Sequence, residues 1–253
     1  MPISIKSSRE IELMAEAGRI LEKVHLELEN ALRPGMSTLD IDRLGREIIE
    51  GYGCIPSFLD YNGYPASICV SVNEEVVHGI PSKRRVIKEG DIVSLDAGVI
   101  YKGYHSDAAR THAVGTVGKE AEDLIKVTRE CFFEGIKYAK EGNHLFDISR
   151  AIGRYARERG YGVVRDLCGH GIGTALHEAP EVPNYELEKK GVRLKAGMTL
   201  AIEPMINIGG WEVDWLDDDW TVVTRDRTLS AHYENTIVIT DGEPRILTMT
   251  ESA

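Results

Sequence analysis

The stretch LDAGVIYKGYHSDAAR, from Leu95 to Arg110, sets two aspartates in an apolar, alternating context. The alternation predicts a hairpin: a strand over 91–100, a return strand over 105–114 and a join near Tyr101–Tyr104. With the hairpin axis between 101 and 102, Asp96 lies opposite Asp107. Directly opposed Cβ atoms are about 4.5–5.5 Å apart, so two carboxylates there repel. They can both face water, share a proton, or hold a cation between them. Paired carboxylates also serve glycosidase-type acid/base work. The stretch alone leaves these open.

Working outward, Ile11, Met14, Ala15, Gly18, Leu21 and Val24 recur at helical steps over 7–31. Ser7 or Ser8 can cap this helix, and Arg33-Pro34-Gly35 breaks it. A second helix is expected from about Thr38, with Thr38 as cap, to Gly51-Tyr52-Gly53. Strands are predicted at 67–72, 91–100 and 105–115. Helices follow at 119–140 and 146–160, then strands at 198–208, 221–224 and 233–240. The order helix, helix, strands thus occurs twice.

A repeat supports that duplication. RPGMSTLDIDR from Arg33 aligns with KEGNHLFDISR from Lys140, so Gly35, Asp40, Ile41 and Arg43 return as Gly142, Asp147, Ile148 and Arg150. IKEGDIVSLD at 87–96 aligns with LKAGMTLAIE at 194–203 at the same offset of 107 (194 − 87). The expected fold is α+β: two related halves, about 1–115 and 116–253, fused into one domain, with helices covering an antiparallel sheet. At this offset Asp96 aligns with Glu203, so each half delivers a carboxylate from the same point on its strand.

Composition narrows the class. The 253 residues carry a formal net charge of −11, which argues against non-specific nucleic-acid binding. No run of about 18 apolar residues predicts a membrane span, and MPISIKSSREIELMAEAG does not read as a secretory signal. Cys54, Cys69, Cys131 and Cys168 fit no CxxC motif and are expected as buried thiols of a reducing cytoplasm.

Further polar residues join the aspartates. CGHGIGTALHEAPEVPNY, Cys168 to Tyr185, places His170 and His177 in a Gly-rich segment, where glycine permits close backbone approach. LAIEPM ends an apolar strand on Glu203, and SAHYENTIVIT places Glu234 before another. Asp96, Asp107, His170, Glu203 and Glu234 form a set of oxygen donors with one imidazole and no thiolate. Such a set suits Mn²⁺, Fe²⁺, Co²⁺ or Zn²⁺, and two ions balance its charge better than one. Two-metal sites serve phosphatases, nucleases and aminopeptidases alike.

His78-Gly79-Ile80-Pro81, the Asp96–Asp107 pair, GHGIGTALHEAPEVPNY from 169, Glu203-Pro204 and Glu234 together resemble the type I methionine aminopeptidases. The resemblance covers almost the whole chain and is to the bacterial short form, without a zinc-finger extension or the helical insertion of type II enzymes. Leu167 departs from the family pattern, which has an aromatic residue or methionine there, but remains apolar.

The resemblance implies the pita-bread fold and removal of the initiator methionine from nascent chains in the cytoplasm. It implies two divalent ions (Co, Mn, Fe or Zn): Asp96 chelates one, Asp107 and Glu234 bridge both, and His170 and Glu203 bind the other. Glu203 also becomes the general base, while His78 and His177 contact the scissile amide. Phe58, Tyr61, Tyr64, Cys69, Leu176 and Trp220 become the walls of a methionine pocket. A monovalent cation maps near Asn73, Glu75 and Ser230. A small second residue is expected to be preferred, because the walls crowd the next side chain. The expected partners are nascent N-termini, with transient ribosome contact and a monomeric chain.

Asp96 to Asp107 spans 11 residues and Glu203 to Glu234 spans 31. The additional 20 contain WEVDWLDDDW, Trp211 to Trp220, read as a pocket wall, a solvated acidic hairpin, or both. Competing readings are a proline-directed peptidase of the same fold, a relative that has lost its metals, and a two-metal phosphoesterase, which would carry more basic residues to hold phosphate.

Overall fold

The main hairpin turns at Lys102-Gly103, whose φ angles are 48° and 85°. Two left-handed residues at the tip match the twist of a two-residue hairpin. In this computed structural model, which describes residues 2–249, the turn joins Ile92–Tyr101 (β2) to Tyr104–Ala113 (β3). It pairs Tyr101 with Tyr104, hence Asp96 with Ala109 and Gly98 with Asp107. The expected opposition of Asp96 and Asp107 is therefore incorrect. The axis lies between 102 and 103, and the aspartates are diagonal neighbours on one face. Diagonal residues stand roughly 7 Å apart, which leaves room between the carboxylates.

Ile68–Val72 (β1) flanks β2 on its other edge and sets Cys69 beside Asp96. Helix α1, Ser8–Ala31, and helix α2, Thr38–Gly51, cover this sheet. The cap of α2 is Ser37 rather than Thr38: Ser37 and Asp40 exchange side-chain and backbone bonds in a capping box. In the second half, α3 covers Lys119–Ile136 and α4 covers Leu145–Arg157. Helix α3 stops short of 140 because the chain enters a turn with left-handed Gly142 (φ 90°).

A five-stranded antiparallel sheet contains Gly169–Gly171 (β4), Glu178–Val182 (β5) and Thr199–Ile202 (β6). The predicted strand at 198–208 is interrupted. Pro204 has no N–H to offer a ladder, so Met205–Asn207 (β7) continues in another sheet. Its partner is Ser230–His232 (β8), and β6 pairs with Asn235–Val238 (β9).

The two halves share their pairing. Ile92 pairs with Ala113 and Thr199 with Val238; Gly98 pairs with Asp107 and Met205 with His232. The first strand is shifted by 107 (199 − 92) and the second by 125 (238 − 113). The second half is thus the same hairpin, broken at Glu203-Pro204 and lengthened by 18 residues (125 − 107), not 20. In this register His232 takes the place of Asp107, and Glu234 takes that of Ala109.

Hydrogen bonds repeat the relation. Gly35 N–H donates to Ile87 O at 2.9 Å, and Gly142 N–H to Leu194 O at 3.0 Å. Bridges Ser37–Val86 and His144–Arg193 lie at the same offset of 107. The hairpins meet where Glu234 N–H donates to Ala109 O at 3.0 Å. On either side, Thr236 Oγ1 bonds the backbone of Asp107 and Thr111 Oγ1 bonds that of His232.

The cores follow the halves. Leu21, Val24, Ile41 and Leu95 belong to one apolar cluster, and Leu124, Phe132, Ile148 and Ile237 to the other. Between them lie Met14, Phe58, Tyr64, Cys69, Ile172 and Leu176. Among the described residues no helix is long and apolar enough to cross a membrane.

Candidate metal centre

Asp96 and Asp107 reach one cavity from the unbroken hairpin, and Glu203 and Glu234 from the broken one. His170 comes from β4, an interior strand of the five-stranded sheet between β6 and the edge strand β5. The Gly-rich segment is therefore a strand at this point and not a loop. Glycine is needed on both sides of His170: a Cβ on Gly169 would run into the Ala201 carbonyl, and one on Gly171 into the Ala179 carbonyl.

His170 Nδ1 lies 2.9 Å from the Gly171 carbonyl oxygen. A carbonyl only accepts, so Nδ1 carries the proton and Nε2 is left with a lone pair. That lone pair faces Asp107 Oδ2 at 3.8 Å and Glu203 Oε1 at 3.7 Å. Burial, with His177 adding to it, lowers the His170 pKa to about 3, so these contacts are not ion pairs. With both carboxyls ionised, three acceptors face one another with no donor between them. Ligand atoms of Asp107, His170 and Glu234 all lie within 4.8 Å of one another. Asp96 Oδ1, Asp107 Oδ1 and Glu234 Oε1 are buried without a hydrogen-bond partner.

Unsatisfied buried acceptors are costly. Burial pushes the Asp96 carboxyl up to about 7. Asp107, Glu203 and Glu234 are pushed well above the usual carboxylate range, first by burial and then by their neighbours' charges. A divalent cation reverses that effect, favouring ionised carboxylates and a neutral imidazole. The donors present thus fit metal ions: four buried carboxylates, three of them with an orphaned oxygen, and an imidazole already in the ligating tautomer.

All residues singled out from the sequence for chemistry or for the pocket line this cavity of about 210 Å³. His78 sits in the left-handed region (φ 59°), a strained conformation for a non-glycine residue. Burial lowers its pKa to about 4. His177 packs edge-on against His170, with centroids 4.1 Å apart, and burial lowers its pKa too. Trp220 meets Tyr64 edge to face at 5.1 Å and His78 at 6.2 Å. Asp218 holds that corner by accepting from the N–H groups of Trp220 and Thr221 at 2.9 and 2.7 Å. The lengthened loop therefore does form part of the pocket wall.

Asn62, Val77, Leu167, Cys168 and Met205 line the cavity as well. Cys168 is half-buried rather than buried as expected. Away from the cavity, Ser230 N–H donates to the Asn73 carbonyl at 2.9 Å, and the Glu75 carboxylate accepts from the Val72 N–H at 2.7 Å.

His232 was not singled out. It is fully buried, neither ring nitrogen has a hydrogen-bond partner, and Nε2 lies 3.7 Å from Glu203 Oε2. Burial lowers its pKa to about 3. The signal that finds it is the shift of 125 between the return strands, which maps it onto Asp107.

Comparison with known proteins agrees with this centre. The family model described as metallopeptidase family M24 matches residues 12–241. A methionine aminopeptidase of Clostridium acetobutylicum is 55% identical, over 98% of this chain and 100% of that one. Methionine aminopeptidase 1 of Bacillus subtilis is 48% identical, over 97% and 99%. The crystal structure of a Thermotoga maritima methionine aminopeptidase superposes with a TM-score of 0.96 at 44% identity, covering 98% of this chain and 100% of that one. The pita-bread architecture is thus common to the chain and these proteins. With a donor set suited to metal and a match running nearly end to end, the chain belongs to metallopeptidase family M24.

Proposed function

We propose that this protein is a methionine aminopeptidase that removes the N-terminal methionine of nascent polypeptides. The observation that carries this reading is the mixed lining of one cavity, which brings the metal donors together with the side chains of Phe58, Tyr61, Tyr64, Cys69, Leu176 and Trp220. Aromatic and sulfur-bearing walls suit a polarizable thioether. The reading treats the chain as one catalytic domain acting as a monomer in the cytoplasm, in transient contact with the ribosome.

Asp96, Asp107, His170, Glu203 and Glu234 would hold two divalent ions of the Co, Mn, Fe or Zn kind. When bound, such ions supply the Lewis acidity that makes water a nucleophile near neutral pH. Glu203 accepts the proton of the attacking water and passes it to the leaving amine. His78 and His177, kept neutral by burial, present N–H donors to the amide as its oxygen gains charge. Small second residues are favoured in this reading, as crowding of the next side chain by the walls would require. A monovalent cation near Asn73, Glu75 and Ser230 belongs to the same reading, supported by the backbone bond that joins Asn73 to Ser230.

The test is release of methionine from Met-Ala-Gly and Met-Leu-Gly in the presence of Mn²⁺, Co²⁺ or Fe²⁺. The alanine peptide should be cleaved at least about tenfold faster, and chelation should abolish both reactions. No release with any of these metals would overturn the reading. Equal rates on the two peptides would overturn the preference.

A further inference from the structure

Tyr61 does more than face the cavity. Its hydroxyl lies 2.7 Å from His177 Nδ1, with the two rings 5.2 Å apart. We propose that Tyr61 is a positioning residue for His177: its hydroxyl donates to Nδ1, which fixes the imidazole tautomer that carries its proton on Nε2. This rests on the aminopeptidase reading above and specifies how one of its histidines is prepared.

The direction of the hydrogen bond follows from its surroundings. Burial raises the Tyr61 pKa, so the phenol keeps its proton, while the Asn62 side chain and the His177 backbone act on its oxygen in the opposite sense, as donors do. The hydroxyl proton is left for Nδ1, and an imidazole sp² nitrogen is a good acceptor. With Nδ1 accepting, Nε2 is the remaining ring nitrogen and must be an N–H. A donor is what a developing amide oxyanion needs, and the other tautomer would present a lone pair.

The backbone is built to hold this hydroxyl in place. Tyr61 stands between two left-handed residues, Asp60 (φ 63°) and Asn62 (φ 50°), followed by Gly63 (φ 88°). Two non-glycine residues in that region are strained and persist where surrounding contacts fix them. Here Asp60 N–H donates to Tyr64 O at 2.9 Å, and Tyr64 N–H to Tyr61 O at 2.9 Å. The Tyr64 hydroxyl in turn donates to the Gly79 carbonyl at 3.0 Å, next to His78. The same short turn therefore supplies a wall of the pocket, the hydroxyl on His177 and a tie to the strand end that carries His78.

Tyr61→Phe tests this, because it keeps the ring and removes only the hydroxyl. On Met-Ala-Gly we expect kcat to fall about tenfold with KM within twofold. In a His177→Ala background the same substitution should cost less than twofold, as a double-mutant cycle requires of groups acting through one bond. Nitrogen NMR of ¹⁵N-histidine in the full-length protein, with and without Zn²⁺, should show His177 as the Nε2–H tautomer in the wild type and as a mixture in Tyr61→Phe. Three results overturn the proposal: an unchanged kcat, a raised KM with kcat intact, or an equal cost in both backgrounds. An unchanged tautomer overturns it whatever the kinetics. If wild type releases no methionine, the aminopeptidase reading fails, and the NMR comparison alone still decides the role of Tyr61.

Discussion

Glu203 stands between two imidazoles, with Oε1 3.7 Å from His170 Nε2 and Oε2 3.7 Å from His232 Nε2. Both rings are buried and neutral, so neither pairs with it as a cation. A proton acceptor so placed can give its proton up again, which a carboxylate locked in an ion pair does poorly. Glu203→Gln keeps the shape and removes the base. Its kcat should fall at least about 100-fold, with KM changed a few-fold and the fold intact by circular dichroism. A near-normal kcat would remove Glu203 from the role of base. The residue itself is conspicuous in the sequence, as a charge ending an apolar strand. His232 is not, because a single histidine beside Tyr233 and Glu234 has no pattern of its own. Its place emerges only when the ladder shows which residue it replaces. The Asp96–Asp107 pairing failed in the sequence for a related reason. Alternation fixes which residues share a face, but the turn fixes which residues oppose each other. Here Lys102 takes a left-handed conformation that its identity does not advertise.

At the scale of elements, the long helices were readable, as was the short strand expected at 221–224 and found at Val222–Thr224, but the strand at Gly169–Gly171 was not. Helix α1 has three-and-four spacing and a Ser7–Glu10 capping box, two signals that agree. Strand β4 has three residues, two of them glycine, and in sequence Gly169-His170-Gly171 is a loop by composition. It is a strand because glycine alone admits the neighbouring backbones so close. Substitution separates these two uses of glycine. Gly171→Ala sets a Cβ against the backbone carbonyl of Ala179 on the neighbouring strand β5, where no flexible side chain can yield. It should destabilise by about 3 kcal/mol or more in urea unfolding and displace His170. Gly51→Ala, at the exposed end of α2 with no atom within 4 Å, should be neutral or stabilise by about 0.5 kcal/mol. If both variants unfold alike, the close-approach argument for β4 is wrong. The break at Glu203-Pro204 lies between these cases. Proline signalled it, yet the apolar run on either side reads as one strand.

At the scale of the molecule, the duplication was readable because glycines with positive φ recur where both halves need them: Gly35 with Gly142, and Gly90 with Gly197. What repetition could not show is that the return strands carry their own shift of 125, since the lengthened loop hides it. The duplication also has an energetic consequence, because it brings four carboxyls to one buried place. Without metal, the folded chain holds Asp96 with a pKa of about 7 against 3.8 when exposed, and the other three are raised as well. A raised folded pKa gives stability that is complete below the unfolded value and is lost as pH climbs through the folded one. The buried histidines act oppositely, but only below about pH 6.5, where unfolded imidazoles take up protons that His78, His170 and His232 refuse. Above that pH the carboxyls act alone. In chelator, the melting temperature should therefore fall from pH 6.5 to 8. With Mn²⁺ it should be higher throughout, and the gap should widen with pH, because ions bind the deprotonated donors. Asp96→Asn, which cannot ionise, should flatten the fall in chelator and raise the melting temperature at pH 8. Calorimetry at four pH values measures all three effects. A chelated protein whose melting temperature stays level or rises over this range would show that the carboxyls are not held protonated at the junction of the two halves.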